Sequence, residues 1–388
     1  MTSSIEIKKI LKYLSKPIKK FDNRPVYNFF KTGFNKTVLI SYIVSPFRKG
    51  VYFGHNNSIE SLEIAKTFKN LGYNVDIIDY TNEKKIDYSK YSVVFGFGKP
   101  FENSFYSGAK IKRIYYGTTC DGVYQNEVTL NRLFDFYKKK KKLLFDSCRL
   151  NDESLPIQTR FSNALILLGN EFVSSTYKNF NGKRYSLHNS YYNVLDSNLI
   201  IQKKNFSSAK KNFVFFSGGG LIHKGLDILL DFFKEHKEYT LHICAPTNVE
   251  TDFVDVYKHE LFDLPNIHTH GFIDLRGEKF KEIVQNCAFV ILPSCSEGEP
   301  ASVLNCMAAG LVPVVTESSG ITIKNFGILI KALNISGVGV AINEASKLPS
   351  NKIKSMSVDC SKYTLRVNSL ENFSKTLNLH LKNILHLK

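Results

Sequence analysis

Short apolar runs alternate with amphipathic stretches along most of the chain. In the first half, residues 37–44, 75–80, 92–97, 113–116 and 164–168 are β-branched or aromatic runs of strand length. Between the first two, Ile64, Ala65, Phe68 and Leu71 share one face at helical spacing. Asn57, followed three residues later by Glu60, predicts a capped start for that helix, and Gly72 its end. The second half repeats the rhythm, with strands expected at 213–216, 240–244, 267–270, 289–292 and 312–316. Leu226, Leu229, Leu230 and Phe233 mark a helix opened by Lys224, and Phe280, Ile283, Val284 and Cys287 mark another over 276–286. From Leu370 the tail carries Phe373, Leu377, Leu381, Ile384 and Leu385, a final amphipathic helix. This pattern predicts an α/β protein of two halves, each a parallel sheet covered by helices, linked where the pattern loosens around 187–211. A cleft between such halves is a favoured place for a ligand.

Composition changes this picture little. At 388 residues the chain can hold two domains, and 43% hydrophobic with 22% charged residues is ordinary for a globular protein. No apolar run reaches bilayer-spanning length, and the first residues lack the apolar core of a secretory signal. Seven scattered cysteines, an odd number, fit a reducing cytosol better than a disulfide framework. Neither a CxxC pair nor HExxH occurs, so no metal site is expected.

The net charge of +17 does bear on partners. Nucleic acid is disfavoured, because no nucleic-acid motif accompanies the lysines. An anionic membrane surface has two local supports. Ile7, Ile10, Leu11 and Leu14 share a helical face, with Lys8, Lys9, Lys12 and Lys16 largely elsewhere, until Pro17. Lys138 to Lys142 form an unbroken run beside Leu143, Leu144 and Phe145. Both segments also read as solvated helix faces packed on a domain.

Two segments carry candidate chemistry. Residues 294–316 (S-C-S-E-G-E-P-A-S-V-L-N-C-M-A-A-G-L-V-P-V-V-T) follow a buried strand with a polar turn, a short helix and a second strand. The turn sets Glu297, Gly298, Glu299 and Ser302 at a helix entry, where backbone N–H groups and the helix dipole gather anions. Upstream, the strand at 213–216 leads into Ser217-Gly218-Gly219-Gly220-Leu221-Ile222-His223-Lys224-Gly225. Three glycines allow close backbone approach. The Lys-Gly order and the spacing exclude a P-loop.

These residues resemble the family-4 (group 1) retaining glycosyltransferases, whose GT-B fold sets two Rossmann-like domains face to face. F-F-S-G-G-G-L-I-H-K-G-L-D-I-L-L is similar to the family's glycine-rich loop with its Lys-Gly pair. I-H-T-H-G-F-I-D resembles the strand and loop, with Gly271 and Phe272, that face the nucleotide base. S-E-G-E-P-A-S-V-L-N resembles the Glu-x7-Glu region. Less strongly, G-H-N-N-S-I-E-S-L-E-I-A resembles the first-domain loop and helix. The resemblance implies an acceptor-side domain over 1–195, a donor domain over 205–364, and a helix over 365–388 returning to the first domain. It implies that Lys224 neutralises the donor diphosphate beside Gly218, Gly219 and Gly220. Glu297 would approach the donor sugar, with Gly298, Glu299, Pro300, Ala301 and Ser302 along sugar and phosphate. Asn305 would hold the ribose, and His55 would face the reacting carbon. Glu297, Lys224 and His55 are thus the implied catalytic set, without a metal or other cofactor.

Each residue also has a plain reading. Glu297 could be a helix-entry charge, Lys224 an exposed helix lysine, Asn305 a solvent-facing polar group and His55 a local hydrogen-bonder. Glu299 acts either through its backbone or through its side chain. The chain also departs from the family twice. Asn305 stands where the second Glu is usual, and Gly219 where a basic residue is usual, with His223 and Lys324 as candidate replacements.

The expected function is transfer of a hexose-type sugar from a UDP- or GDP-linked donor, with retention, to a glycan or lipid-linked acceptor. The resemblance points to a cell-surface polysaccharide such as lipopolysaccharide or capsule, made in the cytoplasm or on the inner membrane face. The alternatives are a catalytically silent nucleotide-sugar-binding or partner subunit and a nucleotide-sugar epimerase.

Overall fold

The computed structural model describes residues 23–387 apart from 53, 153 and 193. The proposed amphipathic segment at 7–16 lies outside the described residues. Six strands form the first sheet: β1 Lys36–Tyr42, β2 Tyr73–Asp79, β3 Val93–Gly96, β4 Lys112–Gly117, β5 Ala164–Leu168 and β6 Lys183–Leu187. Their order is β2-β1-β3-β4-β5-β6, and every pairing is parallel. The second sheet holds β7 Asn212–Phe216, β8 Thr240–Cys244, β9 Ile267–Thr269, β10 Phe289–Leu292, β11 Val312–Val315 and β12 Ile328–Leu329. Its order is β12-β11-β10-β7-β8-β9, again all parallel. Strands covered on both faces read as continuous apolar runs, which is why the central ones were legible. β6 was not, because K-R-Y-S-L lies at an edge with most side chains facing outward.

Six helices matter for the site: α1 Asn57–Asn70, α2 Gly122–Lys140, α3 Leu226–Glu235, α4 Thr251–Val256, α5 Ala301–Ala308 and α6 Leu370–Leu385. Ile64, Ala65 and Phe68 of α1 are fully buried with Val38, Ile40 and Val75. Phe373, Leu377 and Leu381 of α6 join that same core, so the end of the chain packs on the first sheet. α2 crosses the other way: its Leu133 and Phe136 belong to the core of the second sheet.

Three local expectations are corrected. Asn57 does not cap α1. The preceding Asn56 holds that position without a side-chain cap bond, and Glu60 is buried, accepting from the Asn56 side chain at 3.3 Å and not from a backbone N–H. Lys224 does not open α3 but sits in the turn before it, because Gly225 breaks the path with φ +75. A Cβ there would lie 2.3 Å from the carbonyl oxygen of Pro293, so only glycine fits. The helix expected over 276–286 begins at Glu278.

Candidate active site

Each sheet reverses its strand order once, between β1 and β3 and between β7 and β10. Loops at such switch points form the ligand crevice of open α/β sheets. Here the glycine loop follows β7, the Glu-Gly-Glu turn follows β10 and the His55 loop follows β1. Together they line one cavity of about 930 Å³ between the halves. His55, Gly218, Gly219, Gly220, Lys224, Phe272, Glu297, Gly298, Glu299, Pro300, Ala301, Ser302 and Asn305 all line it. Gly271 does not; its left-handed turn, φ +69, leads into Phe272, which does.

The centre is an ionic cluster around Glu297. Its Oε1 lies 3.3 Å from Lys224 Nζ, 3.3 Å from Arg149 Nη1 and 3.8 Å from His223 Nε2. Ser294 Oγ donates to the same oxygen at 3.3 Å. Burial alone would raise the carboxyl. Lys224, then Arg149 and His223, outweigh it and hold Glu297 at about 2. Lys224 is itself buried, which lowers its pKa, and Glu297 opposes that fall. The plain reading of Lys224 as an exposed helix lysine is therefore excluded, since it is 6% exposed.

The halves touch where the turn is tightest. A Cβ on Gly298 would lie 2.3 Å from the carbonyl oxygen of Thr118 and 3.2 Å from that of Leu168. Those carbonyls belong to the first half, at the ends of β4 and β5. Any side chain at 298 would push the halves apart.

Several side chains are placed differently from expectation. Glu299 turns its carboxylate away from the cavity. It accepts from the Asn189 backbone N–H at 2.7 Å and sits 3.1 Å from His188 Nδ1. That pairing raises the His188 pKa, against the opposing pull of burial. Asn305 faces no open solvent. Its Oδ1 accepts from Tyr192 N–H at 2.8 Å and its Nδ2 donates to Ala301 O at 2.7 Å. His55 Nδ1 accepts from the Asn57 N–H at 3.2 Å, a local bond at the start of α1, while the residue also lines the cavity. Burial and then Lys224 lower its pKa.

Neither candidate for the absent glycine-loop cation serves. His223 Nε2 donates to the Ser296 carbonyl, so Nδ1 accepts from Thr129 Oγ1 at 2.9 Å and the ring is neutral. Burial pushes its pKa down to about 4. Lys324 is exposed over the Tyr363 ring, at 5.1 Å from the centroid, and lines no part of the cavity.

Arg149, Glu250 and Glu60 are among the lining residues that escaped the sequence reading. Arg149 sits in the loop between α2 and β5, with no motif around it. Glu250, just before α4, accepts from Leu221 N–H at 2.9 Å and from Gly220 N–H, and so tethers the glycine loop. Glu60 is fully enclosed, near Asn56 Nδ2 at 3.3 Å and Tyr116 Oη at 3.2 Å. Burial raises its pKa to about 7, so this cavity-lining acid is partly protonated near neutrality. Its helical spacing marked only Ile64, Ala65, Phe68 and Leu71, so Glu60 read as a cap.

Residues 198–358 match the family model described as glycosyl transferases group 1. No curated protein matches the chain. Among solved structures, it is similar to a sucrose-phosphate synthase from Thermosynechococcus elongatus, with TM-score 0.63 and 11% identity over 91% of this chain and 99% of that one. It is also similar to Anabaena HepE in complex with UDP-glucose, with TM-score 0.58 and 13% identity over 90% and 99% of the two chains. WaaG, a glycosyltransferase involved in lipopolysaccharide biosynthesis, aligns with TM-score 0.55 and 14% identity over 88% and 99%. These likenesses establish the GT-B architecture of two facing parallel sheets.

Proposed function

From the match of residues 198–358 to the model of the group 1 glycosyltransferases, we propose that the protein acts as a member of that family and transfers a sugar from a nucleoside-diphosphate donor to a glycan or lipid-linked acceptor with retention. The observation that carries this reading is the Lys224–Glu297 pair at the strand-order switch of the second sheet, inside a cavity walled by both halves. The donor diphosphate lies against the glycine loop and Lys224. The sugar lies along the turn, with Glu297 toward its hydroxyls. The acceptor hydroxyl enters from the His55 side.

The acceptor oxygen then bonds to the anomeric carbon as the carbon–phosphate-oxygen bond breaks. The hydroxyl proton passes to the departing diphosphate on the same face, and the nucleoside diphosphate leaves. Negative charge grows on that leaving group, and buried Lys224 stabilises it more than water would. No metal or other cofactor enters this reading. HepE holds UDP-glucose in its structure, which supports a UDP-linked donor here. The role of WaaG supports a cell-surface polysaccharide acceptor. Asn305 and Gly219, which stand where the family carries a Glu and a basic residue, favour a second reading, a silent nucleotide-sugar-binding subunit.

Thermal denaturation against UDP-, GDP-, ADP- and CMP-sugars tests the donor pocket common to both readings, and transfer or hydrolysis of the stabilising donor by the pure protein separates the two. One base should stabilise the protein by about 2.7 kcal/mol at a hundredfold excess over Kd. Lys224→Ala should weaken that donor by about tenfold or more. Folded wild type that responds to none of them would sink the transferase reading.

We also place this enzyme at the inner membrane face. Among the described residues no helix is long and apolar enough to cross a membrane. Lys139 and Lys140, part of the suggested lipid-facing run, pair with Asp231 of α3 at 2.6 and 3.0 Å. The outer face of α2 nevertheless exposes Leu130, Phe134 and Tyr137, followed by Leu143 and Phe145, with Lys138, Lys141 and Lys142 alongside. Co-flotation with anionic but not neutral vesicles, lost on Phe145→Ser with Phe134→Ser, is the expected result. Equal recovery with both vesicle types would reject this placement.

A further inference from the structure

The glycine loop brings one cation to the cavity, Lys224, and no Lys or Arg stands between Ser217 and His223. Glu250 and Glu297 add two carboxylates around it. A nucleoside diphosphate would add at least two further negative charges. Among the residues lining the cavity, Lys224 and Arg149 are the lysine and arginine present.

We propose that Arg149, delivered from the first half, is the second cation of the donor diphosphate site. This deepens the transferase reading and rests on it. Arg149 Nη1 and Lys224 Nζ meet the same oxygen of Glu297, each at 3.3 Å. The arginine arches over the glycine loop: its Cδ lies 3.0 Å and its Nη1 3.6 Å from where a Cβ on Gly220 would stand. Glycine at 220 therefore leaves the space that the arginine fills.

The loop carrying Arg149 is pinned to the second half. The Asp146 N–H donates to Asp252 Oδ2 at 2.8 Å, and Thr251 Oγ1 donates to Asp146 Oδ2 at 2.9 Å. Ser147 Oγ donates to Asp252 Oδ1 at 3.3 Å. These contacts set the arginine over Gly220 and beside Glu297. The guanidinium carries five donors in a fork suited to phosphate oxygens, and its side chain is 38% exposed, open to an entering ligand. Diphosphate binding thereby depends on both halves, although the loop belongs to the one expected to receive the acceptor.

The test compares UDP with uridine, and GDP with guanosine, by calorimetric titration. For whichever nucleotide binds wild type, Arg149→Ala should weaken the diphosphate about 10- to 100-fold and leave the nucleoside unchanged. Arg149→Lys should lose less. Gly219→Arg in the Arg149→Ala background should recover part of the loss, since a Cβ at 219 meets only Glu250 Oε1, at 3.3 Å. Should Arg149→Ala unfold, Arg149→Gln carries the same comparison. Undiminished diphosphate binding overturns the proposal, and so does an equal loss of nucleoside, which would mark a structural role. Wild type binding no nucleotide would overturn the transferase reading itself, a distinct result.

Discussion

Glu297→Gln is expected to lower sugar transfer by about 10²- to 10³-fold, the scale of losing one preorganised charged group in an active site. Glu297 is 6% exposed, and its carboxylate lies within 4 Å of three nitrogen-bearing side chains. Glutamine keeps its shape and removes its charge. Lys224 and Arg149 then face each other across a neutral amide in a buried site. Breaking a buried pair from one side costs about 3–5 kcal/mol, so the melting temperature should fall as well. Nucleoside diphosphate affinity should hold within about tenfold, because the two cations remain for the phosphates. Since Glu297 titrates at about 2, it stays ionised at every pH where the enzyme is assayed. An acid limb in the wild-type pH profile therefore belongs to another group. Unchanged kcat in the variant would remove Glu297 from the mechanism.

Arg132→Met should destabilise the fold by about 3–5 kcal/mol through a site distant in sequence from its partner. Arg132 of α2 donates through Nη2 to both oxygens of Asp227 of α3, at 2.7 Å each. Both side chains are buried, and the pair joins the two halves. Without the arginine, Asp227 is a carboxylate in a low-dielectric interface with no counter-charge. Burial already raises its pKa, and Arg132 is the main opposing influence. The variant's folded pKa would therefore rise further, above the ordinary 3.8 that the unfolded chain keeps. An acid raised on folding costs stability only where the unfolded state is ionised. The deficit should be largest near neutral pH and shrink as pH falls toward 4. Replacing both residues, Arg132→Met with Asp227→Leu, should restore most of the loss. Urea midpoints of the wild type, both single variants and the double variant measure this. Additive losses, with the double variant the least stable, would show that the pair is not a coupled unit.

The position of the candidate site was legible because its elements are local. The run at 289–292, the turn and the helix after it follow one another directly, as do the strand at 213–216 and its glycine loop. Apolar runs marked the buried strands, and glycine marked where backbone must turn. The same signals failed where polarity and structure disagree. β6 is a polar edge strand, and Glu60 is an acid that helical position predicts as a cap but packing encloses. Glu299 and Asn305 line the cavity, but their side chains bind the segment joining the halves.

By itself, the sequence determined the α/β alternation, the two sheets and the anion-gathering turns, because periodicity and glycine placement act over a few residues. The tertiary structure alone decided which charges meet. Arg149 reaches Glu297 across 148 residues of chain, and Arg132 reaches Asp227 across 95. His223, which looked like a cation, is neutral because burial disfavours its charge and a backbone carbonyl fixes its proton. Electrostatic roles depend on distance and desolvation, and both arise only when the two halves pack.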